Sequence, residues 1–116
     1  MHADSDVAGE FIDLAAEVLA LLSDPTRIRL VLALEQAHEL SVGELATAVG
    51  KAPSAVSQHL ARLRMARMVT TRQEGTRVLY KLADEHAPRV ILEAVRQAEH
   101  SVATAGQVPL HHTHGA

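Results

Sequence analysis

Hydrophobic positions in this chain follow two periods, and each change of period marks an element. Across residues 7–22, Phe11, Leu14, Ala15, Val18 and Leu22 recur at three- and four-residue steps and at their multiples, the spacing that lines one face of an α-helix. The run S-D-P-T-R breaks that pattern. Asp24 can accept hydrogen bonds from the first turn of a new helix, and Pro25 suits a first position, where its missing N–H has no intrahelical partner. A second helix is predicted through Ile28, Leu30, Val31 and Leu34. Ser41 and Glu44 have the S-x-x-E spacing of a capping box, opening a short third helix, V-G-E-L-A-T-A-V, closed by Gly50. The turn G-K-A-P leads into a fourth helix, P-S-A-V-S-Q-H-L-A-R-L-R-M-A-R, with Val56, Leu60 and Leu63 facing inward.

The stretch V-T-T-R-Q-E-G-T-R-V-L-Y-K-L is rich in β-branched residues on both sides of Glu74-Gly75 and predicts a β-hairpin. A last helix is expected from about Asp84 to Ala103, capped by Asp84, with Ile91, Ala94, Val95, Ala98 and Val102 as its apolar stripe. Residues 106–116 carry no period and read as a flexible, histidine-containing tail behind a single domain spanning residues 1–105. The expected order is α-α-α-α-β-β-α, mostly α with a small β-hairpin. Two short helices joined by a tight glycine-containing turn, then a basic hairpin, describe a winged helix-turn-helix.

Composition narrows the classes. Hydrophobic residues make up 47% of 116 positions but aromatics only 2%, so the core of this one domain must be aliphatic. There is no cysteine, which excludes disulfides, thiolate metal sites and thiol nucleophiles. No apolar run approaches the roughly 18 residues of a membrane span, and the polar, acidic opening M-H-A-D-S-D is unlike a signal peptide. A cytoplasmic location is the expectation. The chain has no phosphate loop, no H-E-x-x-H and no nucleophile beside a base, so an enzyme is not expected.

Charge adds the first functional pointer. The net charge is −3, yet residues 51–81 hold seven Lys/Arg against one Glu, while residues 1–50 hold two Arg against nine Asp/Glu. A basic block inside an acidic chain is the footprint of a surface that faces phosphate. The second helix of a helix-turn-helix enters the major groove. With Val56, Leu60 and Leu63 inward, its outward arc holds Ser54, Ser57, Gln58 and Arg62, together with Ala61 and Met65. Gln can pair bidentately with adenine, and Ser can bond several base edges. Lys51, Arg62 and Arg64 are the expected phosphate contacts, with Arg72 and Arg77 of the hairpin reaching the backbone or minor groove. His59, at the margin of the buried stripe, reads as a structural hydrogen-bonding residue ahead of a base reader.

The histidines add a second pointer, because five of the eight lie in the last 31 residues. His86 and His100 are fourteen residues apart on the last helix, within roughly 40° of one another but about 21 Å apart along the axis. One helix cannot bring both to one ion. Antiparallel packing of two such helices would bring His86 of one chain to His100 of the other. Imidazole with carboxylate suits Zn(II), Ni(II) or Co(II).

The segments L-L-S-D-P-T-R-I-R-L-V-L-A-L, S-V-G-E-L-A, S-A-V-S-Q-H-L-A-R-L-R-M-A-R-M-V and E-G-T-R-V-L-Y-K-L together resemble the ArsR/SmtB family of bacterial metal-sensing repressors, over about residues 15–103. The resemblance implies a homodimer joined through its first and last helices. It also implies that the metal-free dimer binds a double-stranded, inverted-repeat operator and lets go when an inducer binds. The family's cysteine-based arsenic, cadmium and lead sites have no counterpart here. Its zinc sensors carry Asp-x-His near the start of the last helix and His-x-x-His or His-x-x-Glu further on. Asp84, His86 and His100 match, but Gln97 stands where another histidine belongs. The chain is more similar to the family's nickel/cobalt sensors, and that likeness implies His86, Glu99, His100, His111 and His112 as ligands. Asp84, Glu93 and His2 are spare candidates, and Glu99 lies about 100° round the helix from His100. Five or six nitrogen and oxygen donors favour octahedral Ni(II) or Co(II) over tetrahedral Zn(II). A zinc-responsive repressor and a winged-helix regulator with no metal response stay open as alternatives.

Overall fold

The computed structural model describes residues 2–105, with side chains from residue 8 onward. The expected tail, including His111 and His112, lies outside the described residues. Five helices and three strands follow in order: α1 (His2–Leu22), α2 (Pro25–Ala37), β1 (Leu40–Ser41), α3 (Val42–Val49), α4 (Pro53–Met65), β2 (Val69–Glu74), β3 (Arg77–Leu82) and α5 (His86–Ala105).

Local chemistry accounts for most of the boundaries. Asp24 Oδ2 accepts the Arg27 backbone N–H at 3.0 Å and starts α2 with Pro25 in its first turn. At α3 the capping box closes both ways, Glu44 N–H to Ser41 Oγ at 3.2 Å and Ser41 N–H to Glu44 Oε1 at 2.9 Å. Gly50 ends α3 with φ 69°, the left-handed geometry that glycine adopts without a Cβ penalty. Gly75, at φ 64°, turns the hairpin. α4 ends differently, on Arg67 in the left-handed region (φ 62°), where the Met68 N–H reaches back to the Leu63 carbonyl at 2.9 Å.

Several features differ from expectation, among them the end of α4 at Met65 instead of Arg67. α1 begins before residue 7, and α5 begins at His86 because Asp84 Oδ1 takes the His86 N–H (2.9 Å) from two residues outside the helix. The hairpin is also one strand short of the sheet that forms. β1 pairs antiparallel with β3, Leu40 opposite Tyr80 and Ser41 opposite Leu79, giving the order β1-β3-β2. Two residues are too few to display the alternation that announces a strand.

The core is aliphatic. Leu30, Val31 and Leu34 of α2, Leu45 of α3, Val56, Leu60 and Leu63 of α4 and Val69 of β2 are fully enclosed. α1 contributes Leu22, and α5 contributes Ala87 and Ile91. The remainder of their apolar stripes stays open in this single chain. Phe11 is 62% exposed, and Leu14, Val18, Val95 and Val102 are exposed as well. Between α1 and α5 runs an apolar groove of about 410 Å³, lined by residues that include Leu19, Leu22, Ile28, Ile91, Val95 and Ala98.

Candidate nucleic-acid interface and metal-ligand helix

Helix α4 is held from beneath by Val56, Leu60 and Leu63, which leaves Ser54, Ser57 and Gln58 exposed as the wheel requires. Its start differs from those of α2 and α3. Ala52 occupies the N-cap and makes no side-chain hydrogen bond, so the first-turn N–H groups lack a protein side-chain cap, and helix N-termini of this kind suit phosphate oxygens. The two arginines of α4 take opposite flanks. Arg62 lines an open groove with Leu14, Val18, Leu21, Met65 and Met68, facing α1. Arg64 borders a notch with Arg67, Thr70 and Thr71 at the root of β2. Met65, part of the expected outward arc, is 86% exposed.

The hairpin arginines are already engaged. Arg72 places Nε and Nη2 on the two oxygens of Glu39, at 2.7 and 2.9 Å, and reaches Glu74 at 3.5 Å. Arg77 Nη2 donates to Glu44 Oε1 at 3.0 Å. The Arg72 hydrogen bonds hold the Glu39 carboxyl below its usual range, and the Ser41 N–H and hydroxyl, then Arg77, do the same for Glu44. Glu39 in turn raises Arg72 above the ordinary guanidinium value. In this structure both side chains fasten the wing to the body of the domain, and a role on DNA would require them to exchange a carboxylate for phosphate. By contrast, Lys51, Arg62, Arg64, Arg67 and Lys81 form no ion pair among the described residues. Arg67, of the same basic block, is not among the expected contacts; it ends the expected fourth helix, and here it stands in the turn beyond Met65, bordering the same notch as Arg64.

His59 sits on the inner flank of α4. Its Nδ1 lies 3.2 Å from Arg27 Nη1 and 3.9 Å from Asp24 Oδ2, with 24% of the side chain exposed. This is the structural role expected of it.

On α5, His86, Glu99 and His100 are all exposed. Glu93 is paired with Arg96 at 3.1 Å, and the Asp84 carboxylate is used by the His86 backbone. Gln97 donates to Ser101 Oγ at 3.2 Å. Among the described residues no three His, Asp or Glu side chains of one chain converge on a common point. The structure therefore places His86 and His100 on one helix, as expected, without assembling a site from that helix alone.

Residues 24–71, from the N-cap of α2 into β2, match the family described as bacterial regulatory protein, arsR family. Over 115 residues, covering 97% of this chain and 85% of the relative, the chain is 43% identical to the HTH-type transcriptional regulator KmtR of Mycobacterium tuberculosis. The chain belongs to the ArsR family. Its fold is that of solved family members. The homodimeric winged helix-turn-helix DNA-binding domain of a Mycobacterium bovis protein superposes with a TM-score of 0.71 at 31% identity, covering 84% of this chain and 91% of that one. NolR from Sinorhizobium fredii gives 0.70 at 31% identity, covering 78% and 89%. This ArsR-family chain is accordingly a DNA-binding transcriptional regulator and not an enzyme. No helix among its described residues is long and apolar enough to cross a membrane.

Proposed function

We propose that this ArsR-family chain is a metal-responsive repressor that binds an inverted-repeat operator as a homodimer and releases it on binding Ni(II) or Co(II). The observation that carries the reading is the exposed α5, with imidazoles at both ends and a carboxylate beside one of them, in a chain that has no thiolate to offer. Nitrogen and oxygen donors fit these ions. His86, Glu99 and His100 would hold the metal together with His111 and His112, and Gln97 weakens a zinc-type set because an amide is a poor ligand. Since about 21 Å of helix separates His86 from His100, a complete set draws on two chains. The open apolar faces of α1 and α5 supply a surface for the second copy, and similarity to KmtR supports the same assignment. Bound metal would supply the link between these donors. The chain's own part is to carry that link through α5 to the spacing of the two α4 helices.

The deciding experiment titrates Ni(II), Co(II) and Zn(II) into a complex of the dimer with a duplex that the metal-free protein has selected from a random-sequence library. Ni(II) and Co(II) are expected to weaken binding by roughly 5–150-fold, the span of a ~1–3 kcal/mol coupling. Release by Zn(II) alone would favour the zinc reading, and release by none of the three would leave a regulator with no metal response. Removing residues 107–116 is expected to preserve DNA binding and abolish release.

A further inference from the structure

The guanidinium of Arg27, in the first turn of α2, links two other helices. Its Nε donates to the Leu21 carbonyl at the end of α1 (2.7 Å), and its Nη1 meets His59 Nδ1 on the recognition helix (3.2 Å). Arginine has donors only, so His59 Nδ1 must be the acceptor, which makes the ring neutral with its proton on Nε2. The Leu21 carbonyl is one of the last four of α1, which have no partner within their own helix. Arg27 is itself aimed by Asp24, whose Oδ2 takes its backbone N–H at 3.0 Å and lies 3.9 Å from the same imidazole nitrogen. The chain is thus α1 carbonyl, Arg27, His59, recognition helix. Elsewhere α1 and α4 border the open groove of Leu14, Val18, Leu21, Met65 and Met68, and meet in the core where Leu22 of α1 joins the cluster of Leu60 and Leu63.

We propose that Arg27 is a positioning residue for operator recognition: a strut, with His59 Nδ1 as its required acceptor, that sets the recognition helix against α1. Base readout by Gln58 and the serines depends on geometry, and side chains that aim such a set need their own hydrogen-bonded support. His59 lies about 100° round α4 from Gln58, on the flank that Arg27 occupies, so it acts on DNA through helix placement and not by touching a base. The proposal rests on operator binding through α4 and is independent of which metal, if any, releases it.

The test uses the metal-free full chain and the duplex selected by the wild-type protein, with affinity followed across a salt series below each variant's melting temperature. Arg27→Met and His59→Phe are each expected to weaken binding roughly tenfold, the scale of a hydrogen bond to a charged group. The double variant is expected to be no weaker than the worse single one, because both remove one interaction. The slope of log affinity against log salt should not change, since no phosphate contact is lost. His59→Asn, whose Oδ1 offers an acceptor near the position of Nδ1, should recover most of the affinity. Arg27→Lys, which keeps the charge but not the fork, should not. A slope reduced by about one in Arg27→Met would reassign Arg27 to direct phosphate contact. Unchanged affinity in folded variants that merely melt earlier, or additive losses in the double variant, would overturn the strut. Failure of the wild-type chain to select any duplex would instead overturn operator reading itself.

Discussion

The helix-turn-helix body and the α1/α5 pair use the same aliphatic side chains, yet they end in opposite states of burial. Leu30, Leu34, Leu45, Leu60 and Leu63 are sealed within the body, while Phe11, Leu14, Val18, Val95 and Val102 of the outer helices stay open to water. Fully burying a side chain of this size contributes about 1.5–3 kcal/mol, so the outer helices hold back a large share of their stabilisation until something covers them. The body is a finished unit. In the proposed homodimer the outer pair would be half of one.

The largest effect that sharpens this contrast comes from the body. Leu60→Ala should lower unfolding stability by ~2–5 kcal/mol at every protein concentration, as read by denaturant titration. Phe11→Glu should leave the fold of one chain intact but shift the monomer–dimer equilibrium, read by sedimentation. If Leu60→Ala and Phe11→Glu gave the same concentration dependence, body and outer pair would be one cooperative core.

Next come the two kinds of arginine. Gln58→Ala is expected to cost ~1–3 kcal/mol of operator affinity and to relax base preference at one position. Arg64→Ala should weaken binding evenly across sequences and reduce the salt slope by about one. Arg72→Ala should leave the slope nearly unchanged, because Glu39 already neutralises that guanidinium, and should cost little stability, as exposed ion pairs do. Equal slope changes for Arg64 and Arg72 would show that the wing gives up its carboxylates on DNA.

The smallest effect is on acid stability. Asp24, Glu39 and Glu44 have carboxyls depressed in the folded chain, led respectively by the Arg27 N–H, the Arg72 side chain and the Ser41 N–H. A depressed carboxyl stabilises the fold above its unfolded value and loses that contribution as pH falls through the folded one. Melting temperature should therefore decline on acidification below about pH 4, and Glu39→Gln with Glu44→Gln should flatten that decline.

The sequence revealed what short-range chemistry decides. The caps at Asp24 and Ser41/Glu44, the stop at Gly50, the inward stripe of α4 and the exposed set Ser54, Ser57 and Gln58 all follow from neighbours within four residues. What the sequence does not show has long-range causes. The carboxylates that engage Arg72 and Arg77, Glu39 and Glu44, lie 33 residues away along the chain. β1 exists only because β3 comes to lie beside it. The stripes of α1 and α5 were correctly identified as apolar, but periodicity does not say whether the chain that covers them is its own. For the proposed metal site, periodicity made α5 legible as a helix, but it does not say which donors meet: His86, Glu99 and His100 do not converge within one chain, and His111 and His112 lie outside the described residues.

Glu44 Oε1 receives both the Ser41 N–H that begins α3 and the Arg77 guanidinium that begins β3. A single oxygen atom thus ties the turn end of the wing to the threshold of the helix-turn-helix. The wing is thereby tethered rather than locked: lifting the β3 start breaks one exposed ion pair, while the Ser41–Glu44 cap of α3 can stay closed.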